Sequence, residues 1–172
     1  GDGSGDFFGH PVYLTVSSQL HLEALCNGLS RVYTVNRAFR AEKNQSSTHI
    51  SEFTMIEAEV AFCEELDSLM CLVEGYMRSL FDCCQSLSAE VHALATTSKN
   101  KRLTLLDAPF PRISFKEACR LATERGSSLS TTGSLTKSAE LSIAEYFGSP
   151  VFVTNFPVEQ KPFYTRVADD GM

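Results

Sequence analysis

RVYTVNRAFRAEKNQSSTHISEFTMIEAEVAF, residues Arg31 to Phe62, is the stretch whose reading decides the fold. Two runs of alternating residue type flank a short polar segment, which predicts strand, loop, strand. Period-two geometry puts Arg40 and Glu42 on one face of the first strand with Asn36 and Ala38, and gives the other face to Tyr33, Val35 and Phe39. Phe53 and Glu57 share a face of the second strand. The intervening KNQSSTHIS is too polar for a core and carries Lys43 and His49. A hairpin with a guanidinium, carboxylates and an aromatic ring suits a ligand that is anionic, cationic and planar in different parts. Arg40 is the first choice for the anion, because a guanidinium offers fixed donors and keeps its charge; the competing reading pairs it internally with Glu42 or Glu57. Phe53 is either a core aromatic or a platform for a base. Lys43 and His49 would meet outer phosphates or stay solvated. One of Glu57 and Glu59, set among apolar residues, is expected to serve a cation.

Composition narrows the class. With 172 residues the chain can bury a sizeable core, and 43% hydrophobic with 21% charged residues is ordinary for a globular protein. The net charge of −6 argues against a surface that binds nucleic acid generally, while leaving room for a locally basic site. Six cysteines (Cys26, Cys63, Cys71, Cys83, Cys84 and Cys119) include no C-x-x-C pair, so free thiols are expected rather than zinc or disulfides. No run has the ~18–20 apolar residues of a membrane span. Gly1 stands where an initiator Met would, so a processed end or a fragment boundary is expected there.

Outward from the hairpin, residues 1–10 are expected to be disordered. Pro11–Ser17 reads as a strand, and Ser17 or Ser18 as the cap of a helix, SQLHLEALCNGL, ending at Asn27-Gly28. Gln19 and Glu23 lie one turn apart on that helix, as a solvated pair or as polar groups at the mouth of a pocket. A long helix from about Glu64 to Ala95 carries a core-facing stripe, Leu66, Leu69, Met70, Val73, Met77, Leu80 and Phe81, with Gly75 and Ser86 as candidate breaks. Lys99–Arg102 is read as a solvated turn. Ser114 and Glu117 have capping-box spacing before a helix that stops near Gly126. A second helix follows over about Lys137–Tyr146. PVFVTNFP, residues 150–157, reads as a mid-sheet strand, and Phe163–Val167 as another, before an Asp169-Asp170-Gly171 turn.

The same stretches carry a resemblance. FRAE, a short loop and H-x-x-EF-x-x-x-E-x-E resemble motif 2 of the class II aminoacyl-tRNA synthetases, with the spacing of the aspartyl/asparaginyl branch. VSSQLHLEAL resembles the helix that carries substrate-binding groups there, and GSPVFVTNFP…KPFYTRV-x-DDG resembles the strand pair before motif 3. Leu22, where aspartyl enzymes of the bacterial type have lysine, together with Glu23 points to the asparaginyl members of bacterial and mitochondrial type. The resemblance implies an α/β fold with a mixed, largely antiparallel sheet flanked by helices. It implies that Arg40 holds the ATP α-phosphate and acts catalytically, that Glu42 reads the adenine or the α-amino group, that Phe53 stacks on adenine and that His49 reaches the γ-phosphate. It implies that Gln19 and Glu57 hold the ammonium of asparagine while Glu23 and Arg166 bracket its amide.

The resemblance further implies ATP as substrate, Mg²⁺ held through motif 3 residues, tRNA(Asn) as partner, a homodimer, no membrane association, and a mitochondrial matrix or else cytoplasmic location. Residues 11–172 would be a partial catalytic domain, with motif 2 at 31–62 and motifs 1 and 3 outside it. The loop departs from the family's Arg-His by having Thr48-His49. Two other readings stay open: a synthetase-like enzyme that adenylates aspartate, and a non-catalytic interaction fragment.

Overall fold

The computed structural model describes residues 11–41, 50–85, 108–130 and 133–168. The expectations for residues 1–10, Glu42, Lys43, His49, Ser86 to Ala95, Lys99–Arg102 and the DDG turn fall outside them. The chain forms two compact units, Gly1–Leu66 and Asp67–Met172.

The first unit is a helix on a hairpin. Strands β1 (Arg31–Phe39) and β2 (Glu52–Val60) pair antiparallel, with Val32 opposite Glu59, Thr34 opposite Glu57, Asn36 opposite Met55 and Ala38 opposite Phe53. The expected hairpin is therefore present, and one face holds the polar set. The other face carries Tyr33, Val35 and Ile56 and is exposed, Tyr33 at 77%. Helix α1 (Gln19–Leu29) packs on the hairpin through Leu22 and Cys26, one turn apart and both buried. Ala38 is 1% exposed. Burial thus follows the helix rather than apolarity, because the side with the larger aromatic and aliphatic groups is the one left bare.

Two local expectations in this unit are corrected and one, the cap of α1, is resolved. Pro11–Ser17 is not a strand; its contact with β1 is a single bond from the Phe39 N–H to the Thr15 carbonyl, 2.9 Å, too little to make a ladder. Ser18 occupies the N-cap of α1 without a side-chain bond, and Ser17 Oγ instead accepts from the Gln19 N–H at 3.0 Å. The helix runs through Gly28 to Leu29; Ser30 caps it with an N–H bonded to the Cys26 carbonyl, and its φ of 64° turns the chain out of the helix.

The second unit contains α2 (Leu66–Gln85) from its second residue on, β3 (Arg112–Ser114), α3 (Phe115–Glu124), α4 (Lys137–Phe147) and β4 (Phe152–Thr154). Its core is one cluster of Ile113, Ala118, Leu121, Ala122, Ala139 and Ile143, with Leu135, Phe147, Val151 and Val153 packed against it. Both helices there start where the sequence signs them. Ser114 Oγ accepts from the Glu117 N–H, Thr136 Oγ1 accepts from the Ala139 N–H, and Gly126 and Gly148 take the left-handed geometry that ends each helix.

Strand β4 pairs in parallel with β3, so both strand directions of a mixed architecture occur, with the longer pair antiparallel. Among the described residues β4 has this one partner and is not mid-sheet. Phe163–Val167 is a turn rather than a strand: the Thr165 N–H closes onto the Pro162 carbonyl, and Phe163 is 99% exposed. The α2 stripe is also corrected. Met70 is buried and Phe81 half-buried, but Leu66, Leu69, Val73, Met77 and Leu80 are exposed, and Gly75 does not interrupt the helix. Beside Met70, α2 buries a polar group: Glu74 takes the Arg78 guanidinium one turn on at 2.7 Å, while the exposed Asp67 takes Arg112 at 2.7 Å.

Candidate active site

The polar set gathers on the α1-covered face of the hairpin. Its acidic end is built by α1 and the distal half of β2. Gln19 Nε2 donates to Glu23 Oε1 at 2.9 Å, so the two groups one turn apart are paired as the sequence suggested. Glu57 Oε2 accepts the Ser18 N–H at 2.8 Å, which anchors the start of α1 to β2 across 39 residues. Glu59, on the same strand face, lies close enough to feel both other carboxylates. Burial first, then the charges of Glu23 and Glu57, push its carboxyl above the usual 4.5. Three carboxylates and one amide thus converge at a half-buried site, which attracts a cation and resists an added anion.

The other end of the face is cationic and aromatic. Arg40 follows β1 directly, and its N–H donates to the Ser51 carbonyl at 2.9 Å, extending the ladder past the last formal pair. Its guanidinium carbon stands 5.4 Å from the centre of the Phe53 ring, and one of its nitrogens is 4.0 Å from Met55 Sδ. Phe53 is half-buried opposite Ala38, whose methyl group leaves the ring room. Arg40 does not pair with Glu57, which settles one of the two internal partners considered for it. Phe53 and Glu57 are four residues apart on one strand, roughly 13 Å at ~3.3 Å per residue. One face therefore presents an arginine and a ring at one end and carboxylates at the other.

Gln19, Glu23, Arg40, Phe53 and Glu57 are thus brought to one face, while Glu42 and His49 fall outside the described residues. Arg166 belongs to the second unit, exposed just beyond the turn at Pro162–Thr165. Glu59 and the Ser18 N–H complete the acidic end. The sequence already pairs Glu59 with Glu57 as a candidate for serving a cation; nothing in the sequence marks a backbone N–H as a partner. Among the described residues no group of three histidines, cysteines or carboxylates is placed to hold a metal. The Glu23, Glu57 and Glu59 set is accordingly not such a group, and the Mg²⁺ that the resemblance implies is expected on other residues, those of motif 3. The described residues contain no helix long and apolar enough to cross a membrane.

A cleft of about 550 Å³ lies in the second unit, lined in part by Ser134, Glu140, Phe156, Glu159 and Lys161. It contains none of the predicted residues, and the Lys161 ammonium already sits 3.7 Å over the Phe156 ring.

Comparison with known proteins agrees with the hairpin. Residues 2–172 match the family described as tRNA synthetases class II (D, K and N). The chain is 37% identical over 183 residues to an asparagine–tRNA ligase of Xanthomonas euvesicatoria, covering 99% of this chain and 39% of that protein. It is 39% identical over 176 residues to an asparagine–tRNA ligase of Nitratidesulfovibrio vulgaris, covering 96% and 38%. Among solved structures, asparaginyl-tRNA synthetase from Pyrococcus horikoshii complexed with asparaginyl-adenylate superposes with a TM-score of 0.78 at 30% identity, covering 92% of this chain and 36% of that one. The chain thus spans well under half the length of these relatives.

Proposed function

The chain belongs to the class II tRNA synthetases (D, K and N), and from that premise we propose that its parent polypeptide is an asparagine–tRNA ligase. It activates asparagine with ATP and transfers the aminoacyl group to tRNA(Asn). The observation that carries the reading is the two-ended hairpin face: Arg40 with Phe53 at one end and Gln19, Glu23, Glu57 and Glu59 at the other. An aminoacyl-adenylate has the matching pattern of ammonium, phosphate and base.

In the proposed reaction the asparagine carboxylate attacks the α-phosphorus of ATP, the bond to the bridging oxygen breaks, and pyrophosphate leaves. A hydroxyl of the tRNA 3′ end then attacks the acyl carbon and AMP leaves. Neither step needs a protein nucleophile; positioning and charge stabilisation suffice. Arg40 would hold the α-phosphate as charge develops there. Phe53 would carry the adenine, with Glu42 beside it and His49 at the γ-phosphate. Gln19 and Glu57 would take the ammonium, and Glu23 the side-chain amide.

Support for asparagine over aspartate comes from Leu22, which is buried and offers no cation, and from the carboxylates around it, which disfavour a second side-chain anion. A Mg²⁺ requirement, dimerisation and a mitochondrial matrix location belong to the parent protein in this proposal. The test is amino-acid-dependent ATP–pyrophosphate exchange by the full-length protein. Asparagine but not aspartate should support it, and Arg40→Ala should lower the rate by roughly 10²–10³. Exchange with aspartate alone would reverse the substrate assignment.

A further inference from the structure

We propose that Arg40 occupies the base-binding face of Phe53 in the free chain, so that a nucleotide must displace it from the ring before it can grip the phosphate. The inference rests on the nucleotide reading of this hairpin face. Its geometry is independent of that reading. The Arg40 guanidinium lies 5.4 Å from the centre of the Phe53 ring, inside the range of a cation–π contact. Its other contact among the described residues is the soft one to Met55 Sδ.

Among the described residues, the internal partner considered for Arg40, Glu57, lies at the other end of the face and is engaged by the Ser18 N–H. The backbone of Arg40 is held by its bond to Ser51, so the motion required is confined to the side chain. Arg40 is exposed, and a cation over a ring at an exposed site is held weakly. A phosphate offers the same guanidinium short, charge-assisted bonds, which are stronger. Ring and arginine are therefore coupled. A ligand with both base and phosphate pulls Arg40 off the ring while using the surface it uncovers, whereas a base without phosphate has to compete for that surface.

The consequence separates nucleoside from nucleotide. In Arg40→Ala, adenosine should bind about 2–5-fold more tightly than to the unaltered chain, the factor equivalent to an exposed cation–π contact. ATP should bind at least about tenfold more weakly. Calorimetric titration of the 172-residue chain with each ligand reads both changes, and circular dichroism checks that the variant keeps its fold.

The second measurement is the NMR shift of the Arg40 side-chain N–H, which should lie upfield in the free chain and move downfield on adding adenosine. If adenosine gains nothing in Arg40→Ala while ATP weakens, the occlusion is overturned and the phosphate role of Arg40 stands. If neither ligand binds either protein at millimolar concentration, the nucleotide reading fails and the occlusion fails with it. An Arg40 N–H without an upfield shift in the free chain overturns the inference directly.

Discussion

In the second unit six side chains, Ile113, Ala118, Leu121, Ala122, Ala139 and Ile143, bury together between two helices and a short parallel pair. The first unit buries Leu22, Cys26 and Ala38 and gives much of the same hairpin face to Asn36, Arg40, Glu57 and Glu59. One unit gains its stability from apolar contact. The other keeps beside its helix a set of groups that repel one another or wait for a partner. A two-stranded hairpin is marginal alone in water, so the first unit depends on α1 and on the Glu57–Ser18 anchor to hold the polar face together. The contrast shows where ligand chemistry has displaced packing.

The sharpest test of that contrast is truncation. Ile143 is 2% exposed within the apolar cluster, and Ile143→Ala should cost about 2–5 kcal/mol in urea unfolding. Val35 on the bare side of the hairpin is more than half exposed, and Val35→Ala should change stability by less than ~0.5 kcal/mol. Equal losses would mean that the exposed hairpin face is packed in solution and the comparison is wrong.

The next test is overpacking. Ala38 leaves room for Phe53, so Ala38→Leu should cost about 1–3 kcal/mol and displace the ring from Arg40. Unchanged hydrogen exchange of the β1 and β2 amides, with no loss of stability, would show slack at the site.

The smallest effect is in pH, and it has opposite signs in the two units. Glu59 is raised above 4.5 by burial and by Glu23 and Glu57, so the folded state binds its proton more tightly than the unfolded one. Its stabilising contribution is present below 4.5 and is lost as pH rises through the raised value. Glu74 is held below 4.5, chiefly by its hydrogen bond from Arg78, so its contribution is present above 4.5 and is lost as pH falls through the lowered value. Acidification from neutral should therefore relieve the hairpin before it weakens the α2 contact. Amide exchange followed from about pH 7 to about pH 3 reads both, and Glu59→Gln should flatten the hairpin's response while leaving that of α2 unchanged.

Much of the first unit was legible from residues 31–62 alone. Alternation specified the hairpin, and period two put Arg40 with Ala38 and Phe53 with Glu57, because side-chain direction in a strand is fixed by backbone geometry. Capping-box spacing likewise specified α3, since Ser114 acts on an N–H group three positions away, whereas the Thr136 cap of α4 emerges only in the structure. These are local rules, and they held locally.

Tertiary structure decided the rest. It chose the polar face of the hairpin for burial, against the pull of Tyr33 and Val35, by placing α1 there. It exposed most of the α2 stripe and gave that helix polar contacts instead, Asp67 with Arg112 and Arg78 with the Ala108 carbonyl. It made Phe163–Val167 a turn, since β-branched and aromatic residues make a strand only beside a ladder partner. It also set Arg40 on Phe53, a contact between chain segments that no spacing rule connects.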